Sequence, residues 1–401
     1  MVDKQTSKWD LVKLGDIVSF KTGKLNSNAA TFNGIYPFFT CSQETYRTDT
    51  YSFDTDCVLL GGNNANGIYP LKYFSGKFDA YQRTYIIRTL NERILINRYL
   101  FFALRLKLEM LKSISTGAAT KFLTLTILKD IDFELPPIPT QRKIAAILSA
   151  YDDLIENNTR RIKILEEMAQ ALYSEWFVKF RFPGHETVKL VESELGMVPE
   201  GWEVKNLGDL ADINASSVKK GNELKEISYI DIASVSTGQI DKIEPINFVD
   251  APSRARRIVK HGDIIWSTVR PNRKSYSIIL RPVSNLIVST GFVVITAKLV
   301  PYTYLYHALT TDDFVGYLTN HASGSAYPAV NSGDFNNASV LLPPNTLLQS
   351  FNKIVSDIFE NKQNMLEKND KLRSTRDLLL PKLISGEVDV SSLDILTGEL
   401  T

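Results

Sequence analysis

Two stretches of the chain place apolar residues in alternating steps of four and three. In the first, Ile144, Leu148, Tyr151, Ile155, Asn158, Ile162, Leu165, Ala169, Leu172 and Trp176 share one stripe, the 3.5-residue period of a coiled-coil seam. Moving along by 207 residues lands on the second stripe, Phe351, Val355, Ile358, Lys362, Met365, Asn369 and Leu372, continuing through Arg376 to Leu379 and Leu383. A helix over the 33 residues from Ile144 to Trp176 is about 50 Å long at 1.5 Å per residue. Neither stretch is apolar all round, so each must bury its stripe on something of similar length, and the obvious partner is the other helix. Asn158 and Asn369 interrupt the seams with polar groups that cost stability and fix register. Two amphipathic helices, each packed on its own neighbouring globule, would give the same pattern.

The ends of these helices are marked. Pro-Pro steps precede both and exclude helix upstream, and Thr346 with Gln349 fits a capping box. The first helix is predicted to stop near Phe182-Pro183-Gly184, where Pro183 has no N–H to continue the ladder. Pro381 predicts a kink in the second, with Gly386 as its C-terminal cap.

The rest of the chain is also written twice. The 207-residue offset that carries Leu135-Pro136-Pro137 onto Leu342-Pro343-Pro344 also carries Thr116-Gly117-Ala118 onto Ser323-Gly324-Ser325. It further maps Asp56-Cys57-Val58-Leu59 onto Asp263-Ile264-Ile265-Trp266, and Tyr85-Ile86-Ile87 onto Phe292-Val293-Val294. The openings, Trp9 to Asp16 and Trp202 to Asp209, match at an offset of 193, so the second half holds 14 extra residues between its opening and its core strands. A shared register over distant segments is the signature of an internal repeat. Each copy runs through β-branched and aromatic stretches punctuated by Gly and Asn, such as Asp56 to Leu60 and Ala80 to Arg88, and reads as a strand-rich α/β globule. A helix is predicted over Asn97 to Lys112, with a weaker counterpart over Tyr302 to Leu318.

Length and composition add limits. At 401 residues the chain is expected to hold two or three cores. No apolar run approaches the roughly 20 residues of a membrane helix. Met1 to Asp10 lacks the apolar core of a secretory signal, and Cys41 and Cys57 make no disulfide framework, so a cytoplasmic protein with reduced thiols is expected. The net charge of +1 gives no attraction to polyanions as a whole, and any nucleic-acid surface must be local. One candidate is the segment Arg254 to Arg281, which has eight basic residues against the single acid Asp263. Trp266, Asn272 and Tyr276 are interleaved with it, a mixture in which cations hold phosphate while amide and guanidinium groups meet base edges. A weaker basic bias runs from Lys72 to Lys107. It follows Gly61-Gly62-Asn63-Asn64-Ala65-Asn66-Gly67, a loop of small residues at the repeat position of Thr268-Val269-Arg270-Pro271-Asn272-Arg273. A plain turn for the first loop and a solvated charged face for the arginines are the alternatives.

Catalytic chemistry is hard to find. The four histidines, His185, His261, His307 and His321, have no zinc-type spacing, and neither a phosphate-cradling glycine loop nor a dinucleotide fingerprint is present. Asp212 with Glu223-Leu224-Lys225 weakly imitates a magnesium-nuclease set that the first repeat lacks.

Taken together, the paired openings, the paired Leu-Pro-Pro steps into long helices, the junction Phe180-Arg181-Phe182-Pro183-Gly184 with Ser193 to Gly196 and Pro199 to Trp202, and the closing Leu383 to Val388 resemble the specificity subunits of type I restriction-modification enzymes over essentially the whole chain. The resemblance implies an α+β architecture in which two pseudo-symmetric α/β target-recognition domains are separated by two long helices forming an antiparallel coiled coil. On that pattern the first recognition domain is 1–138, the first helix 139–182, a linker 183–200, the second domain 201–344, the second helix 345–385 and a tail 386–401. It also implies that each domain reads half of a bipartite double-stranded DNA target, while the coiled coil sets the gap and docks two modification subunits. Restriction and translocase subunits join them. S-adenosylmethionine, ATP and magnesium are expected on those partners and no cofactor on this chain, which would have no active site of its own. The family's domains vary and specify no reading residues. From residue type and repeat position, base contacts are expected from Asn63, Asn64, Asn66, Arg270, Asn272 and Arg273. Phosphate contacts are expected from Lys72, Lys77, Arg83, Lys121, Lys219, Lys220, Arg254, Arg256, Arg257 and Lys274. The competing readings are a free-standing magnesium-dependent nuclease and a coiled-coil scaffold that does not bind DNA.

Overall fold

The computed structural model describes residues 8–64, 67–115, 121–219, 221 and 224–395. Two compact units divide the chain, one made of 1–158 with 367–401 and the other of 159–366. The boundary therefore falls inside the long helices, Ile138–Tyr173 and Asn345–Ile384, each of which contributes one part to each unit. No helix among the described residues is long and apolar enough to cross a membrane.

In the first unit the opening strand Asp10–Lys13 pairs antiparallel with Asp132–Leu135, Asp10 facing Leu135. The pairing is repeated in the second unit, where Glu203–Asn206 lies on Ser339–Leu342 with Glu203 facing Leu342. The opening motif and the proline step of each repeat are thus the two strands of one ribbon, and the helix is launched from its end.

The main sheet of the first unit has six strands in the order Val18–Thr22, Thr84–Thr89, Phe53–Gly61, Leu71–Ala80, Tyr36–Phe39 and Tyr46–Thr48. In the second unit the same path is cut into two four-stranded sheets. One orders Ala211–Ile213, Phe292–Ala297, Ile264–Ser267 and Tyr276–Ile278; the other orders Glu244–Asn247, Glu226–Ile230, Leu286–Ser289 and Ala255–Ile258. The ten-residue strand Leu71–Ala80 has as its counterparts the separate strands Tyr276–Ile278 and Leu286–Ser289. Part of the second repeat's extra sequence appears as the small hairpin Val235–Ser236 with Gln239–Ile240. The helix predicted over Asn97 to Lys112 is Asn97–Ile114. Its counterpart is broken into Tyr302–Ala308 and Asp312–His321, because Thr311 leaves the helix and accepts a hydrogen bond from the Phe314 amide as a fresh N-cap.

Every seam position read from the sequence is buried or half-buried. The helices run antiparallel within each unit. In the first, Asp152 meets Arg376 at 2.5 Å, and six positions further along Asn158 Nδ2 donates to Asn369 Oδ1 at 2.9 Å. In the second, Glu166 meets Lys362 at 2.5 Å and Tyr173 packs on Phe351 with ring centroids 6.2 Å apart. The stripes also enter the globular cores. Ile144, Ala145 and Leu148 join Leu100, Phe133 and Leu383 in the first, and Ala169, Tyr173, Trp176, Phe351 and Val355 join Trp202 and Tyr304 in the second. Both sequence readings of these helices hold in part: they pair with one another, and each end packs on its neighbouring globule.

The helix ends depart from expectation. The first helix passes at Ser174–Val178 into a π turn and stops at Phe180, whose φ is 58°, before Pro183 is reached. The wider turn carries Trp176 and Phe177, adjacent in sequence, both into the core. The second helix begins at Asn345, so Thr346 is no cap; Gln349 Nε2 instead donates to Asn345 Oδ1 at 3.2 Å. Pro381 lies within a helix that continues to Ile384, and Gly386 caps it at φ 76°. Trp9 closes this end by donating from Nε1 to the Ile384 carbonyl at 2.9 Å. Trp202 plays the matching part at the end of the first helix, packed among Phe177, Phe180 and Phe182. The segment read as a linker carries a hairpin, Leu190–Ser193 with Gly196–Pro199. The segment read as a tail is anchored where described, with Val390 buried and Lys143 donating to the Ser391 carbonyl.

Candidate nucleic-acid interface

The glycine-asparagine loop of the first repeat leaves the sheet at Gly61. Its base is fixed by three main-chain bonds, Gly61 N to Pro70 O (2.9 Å), Gly62 N to Arg83 O (2.7 Å) and Leu123 N to Gly62 O (2.9 Å). Glycine is required at 62, where a Cβ would sit 2.7 Å from the Arg83 carbonyl oxygen. Beyond it, Asn63 and Asn64 pair with Phe122 and Lys121. The second repeat builds the same frame to within one residue. Val269 bridges Ala329, and Arg270 N donates to Pro328 O at 2.7 Å. Arg270 and Lys274 both take left-handed φ values, 53° and 54°, on either side of the short turn Pro271–Arg273. A left-handed backbone at non-glycine residues is kept only where its surroundings impose it, and such residues collect at ligand-contacting loops. The turn leaves Asn272 and Arg273 exposed.

The expected side chains meet different fates. Asn63 is half-buried and its Oδ1 accepts from the Cys41 thiol at 2.8 Å. Asn64 is also half-buried. Asn66 and Lys220 lie outside the described residues, as does Thr116-Gly117-Ala118. Lys77 is exposed with its ammonium 4.7 Å from the centre of the Tyr51 ring, and the Arg83 guanidinium lies 5.5 Å from that of Phe122. Lys121 sits beside Gly67. Lys219 is exposed, one residue beyond the bond from Val218 N to Arg256 O. Lys77, Arg83, Lys121, Lys219 and Arg273 form no ion pair with a described residue.

Lys72 is turned inward. Its ammonium donates to the Glu44 carbonyl at 2.8 Å and to Thr45 Oγ1 at 2.9 Å, and burial lowers its pKa to about 8. Arg254 pairs with Asp231 at 2.7 Å, and Lys274 with Asp312 at the same distance. Arg256 lies over Phe248. Arg257, half-buried beside Ser217, is held below its usual pKa by desolvation. Arg281 is occupied by Glu360 and by Asn364. Three of the eight basic residues of this segment, Arg254, Lys274 and Arg281, are therefore paired with acids from outside it, Asp231, Asp312 and Glu360, which a local charge count does not register.

Two residues outside the sequence candidates, Tyr327 and Cys41, each hold a loop residue. Tyr327 is 69% exposed and lies beneath Arg270, 4.4 Å from the guanidinium carbon to the ring centre. The sequence hints at it only through its place just after Ser323-Gly324-Ser325 in the repeat; Cys41 reads there as a reduced thiol and nothing more. Of the nuclease set, Glu223 lies outside the described residues and Asp212 is exposed, 3.8 Å from Lys298. Among the described residues no group of three His, Cys, Asp or Glu side chains is placed to hold a metal. His307 is buried against Tyr173 and Gln170, and desolvation lowers its pKa to about 3, so its ring is neutral.

Two copies of one α/β unit, each presenting a loop on the same main-chain frame, define a tandem-repeat protein with two equivalent surfaces. The chain belongs to the family described as the type I restriction modification DNA specificity domain, whose model matches residues 6–167 and again 199–373. Both matched segments run from the opening motif into the long helix. The chain is 27% identical to the type I restriction enzyme EcoDI specificity subunit of Escherichia coli, over 98% of this chain and 92% of that protein. It is 28% identical to the MjaIX specificity subunit of Methanocaldococcus jannaschii, over 74% of this chain and 70% of that one. The crystal structure of a type I restriction-modification S subunit from M. genitalium has the same fold, with a TM-score of 0.62 at 17% identity, covering 96% of this chain and 98% of the other.

Proposed function

We propose that this chain is the DNA-reading subunit of a type I restriction-modification enzyme, with each repeat reading one half of a bipartite target. What carries the proposal is the loop frame, which recurs in both repeats of a chain from a DNA specificity family and presents different side chains in each: Asn63 and Asn64 in one, Arg270, Asn272 and Arg273 in the other. A constant frame with variable side chains is what reading two different half-sites requires. The helix pair sets the number of unread base pairs between the half-sites and docks two modification subunits; restriction and translocase subunits join that assembly. The chain is a recognition subunit and not itself an enzyme. S-adenosylmethionine, ATP and magnesium belong to the partner subunits. The complex works where the cell's DNA is, in the cytoplasm.

Of the cations, Lys77, Arg83, Lys121, Lys219 and Arg273 are assigned to the DNA surface; Lys72, Arg254 and Lys274 serve the protein's own fold first. Binding of duplex DNA by the complex with its modification subunits tests this. Affinity is expected to fall steeply with salt, as phosphate contacts require. Replacing Arg83 and Lys121 together by Ala should weaken all sequences alike and reduce the slope of log K against log salt by about two. Weak binding that does not respond to salt would favour the scaffold reading instead.

A further inference from the structure

Arg270 occupies the place in the second repeat that Asn63 holds in the first, and it is fixed at four points. Its amide donates to Pro328 O at 2.7 Å, and its carbonyl accepts from Arg273 N at 2.9 Å, closing the turn. Its Nη2 donates to the Ala326 carbonyl at 3.2 Å. Its guanidinium lies over the Tyr327 ring, and it forms no ion pair with a described residue. Tyr327 is offered by a closed hairpin. Ser323 and Ala329 exchange both main-chain bonds, at 2.9 and 2.8 Å, and Gly324 turns the chain at φ 100°. An aromatic residue 69% exposed contributes little to a core, and this ring packs against the Arg270 guanidinium.

A guanidinium carries five N–H donors in a rigid plane. Here one is used on Ala326 and one face is covered by the ring, so the remaining donors lie in a defined plane with no carboxylate to absorb them. A phosphate can be held by a mobile cation that accepts many directions. A base edge presenting two acceptors side by side needs the fork to be set in advance, and in the DNA major groove that edge is guanine O6 with N7.

We propose that Tyr327 is a positioning residue that holds Arg270 as a guanine-reading fork, so that one of the two half-sites contains a guanine selected by Arg270. This rests on the reading of the chain as a DNA specificity subunit. The test uses the full chain assembled with its modification subunits and a pool of duplexes randomised over the half-sites, with bound and methylated sequences counted. The wild type is expected to require guanine at one position. R270A and R270K should each lower that preference about tenfold or more, the lysine because a point charge cannot replace the fork. Y327A should lower it about threefold to tenfold, Y327F should retain it, and the other half-site should be unchanged in all four.

Uniform weakening over all sequences in R270A would make Arg270 a phosphate contact and overturn the proposal. So would a Y327A complex with undiminished guanine preference, or a Y327F complex as impaired as Y327A. A wild-type complex without sequence preference in either half-site would instead overturn the specificity-subunit reading itself.

Discussion

A chain lacking both Ile155–Arg161 and the facing heptad Leu366–Leu372 is expected to stop directing methylation to its native DNA site. The two deletions are matched because the helices are antiparallel. Asp152 faces Arg376 and Asn158 faces Asn369 within the first unit, and Glu166 faces Lys362 within the second; counting along the sequence between these pairs matches 155–161 with 366–372. Removing both heptads takes out the asparagine pair and preserves the polar contacts on either side. Seven residues of helix are about 10 Å, or about three base pairs at 3.4 Å each. The modified complex should therefore either methylate the same half-sites with a gap shorter by about three base pairs or methylate nothing. Methylation of the native site at its native spacing would show that the helices set no distance. Deleting only one heptad should be worse for the fold, since Asn158 or Asn369 would lose its buried partner and polar seam residues would face apolar ones.

The second large effect is on stability. Arg376 is only 7% exposed and donates to Asp152 at 2.5 Å and to Asp377 at 3.0 Å, while Arg105 from the helix Asn97–Ile114 approaches the same two carboxylates at 3.8 and 3.6 Å. Truncating Arg376 to Ala removes the nearest cation from the half-buried Asp152 and leaves Arg105 at 3.8 Å as its remaining partner, and is expected to cost about 2 kcal/mol, the range for losing hydrogen bonds to a charged group. Replacing Arg376 and Asp152 together by Leu should recover much of that cost, since an ion pair of this kind contributes little net stability over apolar residues of similar volume. Thermal or denaturant unfolding of the single and double variants measures both. A single variant as stable as the wild type would mean that Arg105 alone satisfies the two aspartates.

How much of this was legible depended on the reach of each signal. The seam was readable because its period is local and lasts for many turns, and Asn158 and Asn369 stood out as the polar pair their hydrogen bond makes them. The repeat was readable because one offset joined distant motifs, and that offset alone sets the loops at 63 and 270 in corresponding places. The stop at Phe180 was not readable, because a π turn is set by which aromatics the core accepts and leaves no local mark. Nor was the break at Thr311, where an N-cap interrupts a pattern that continuous helix would also fit. The candidate site was least legible. Lys72, Arg254 and Lys274 are basic in sequence but tied in the fold to Glu44, Asp231 and Asp312, and Tyr327 has no charge to draw notice.

Mapping of methylated bases in DNA modified by the complete enzyme decides whether one chain reads two half-sites held at a fixed separation. A single bipartite motif is expected, two short constant sequences separated by a constant number of unspecified base pairs. A contiguous motif, half-sites at variable spacing, or methylation without any motif would contradict a two-site reader of fixed span.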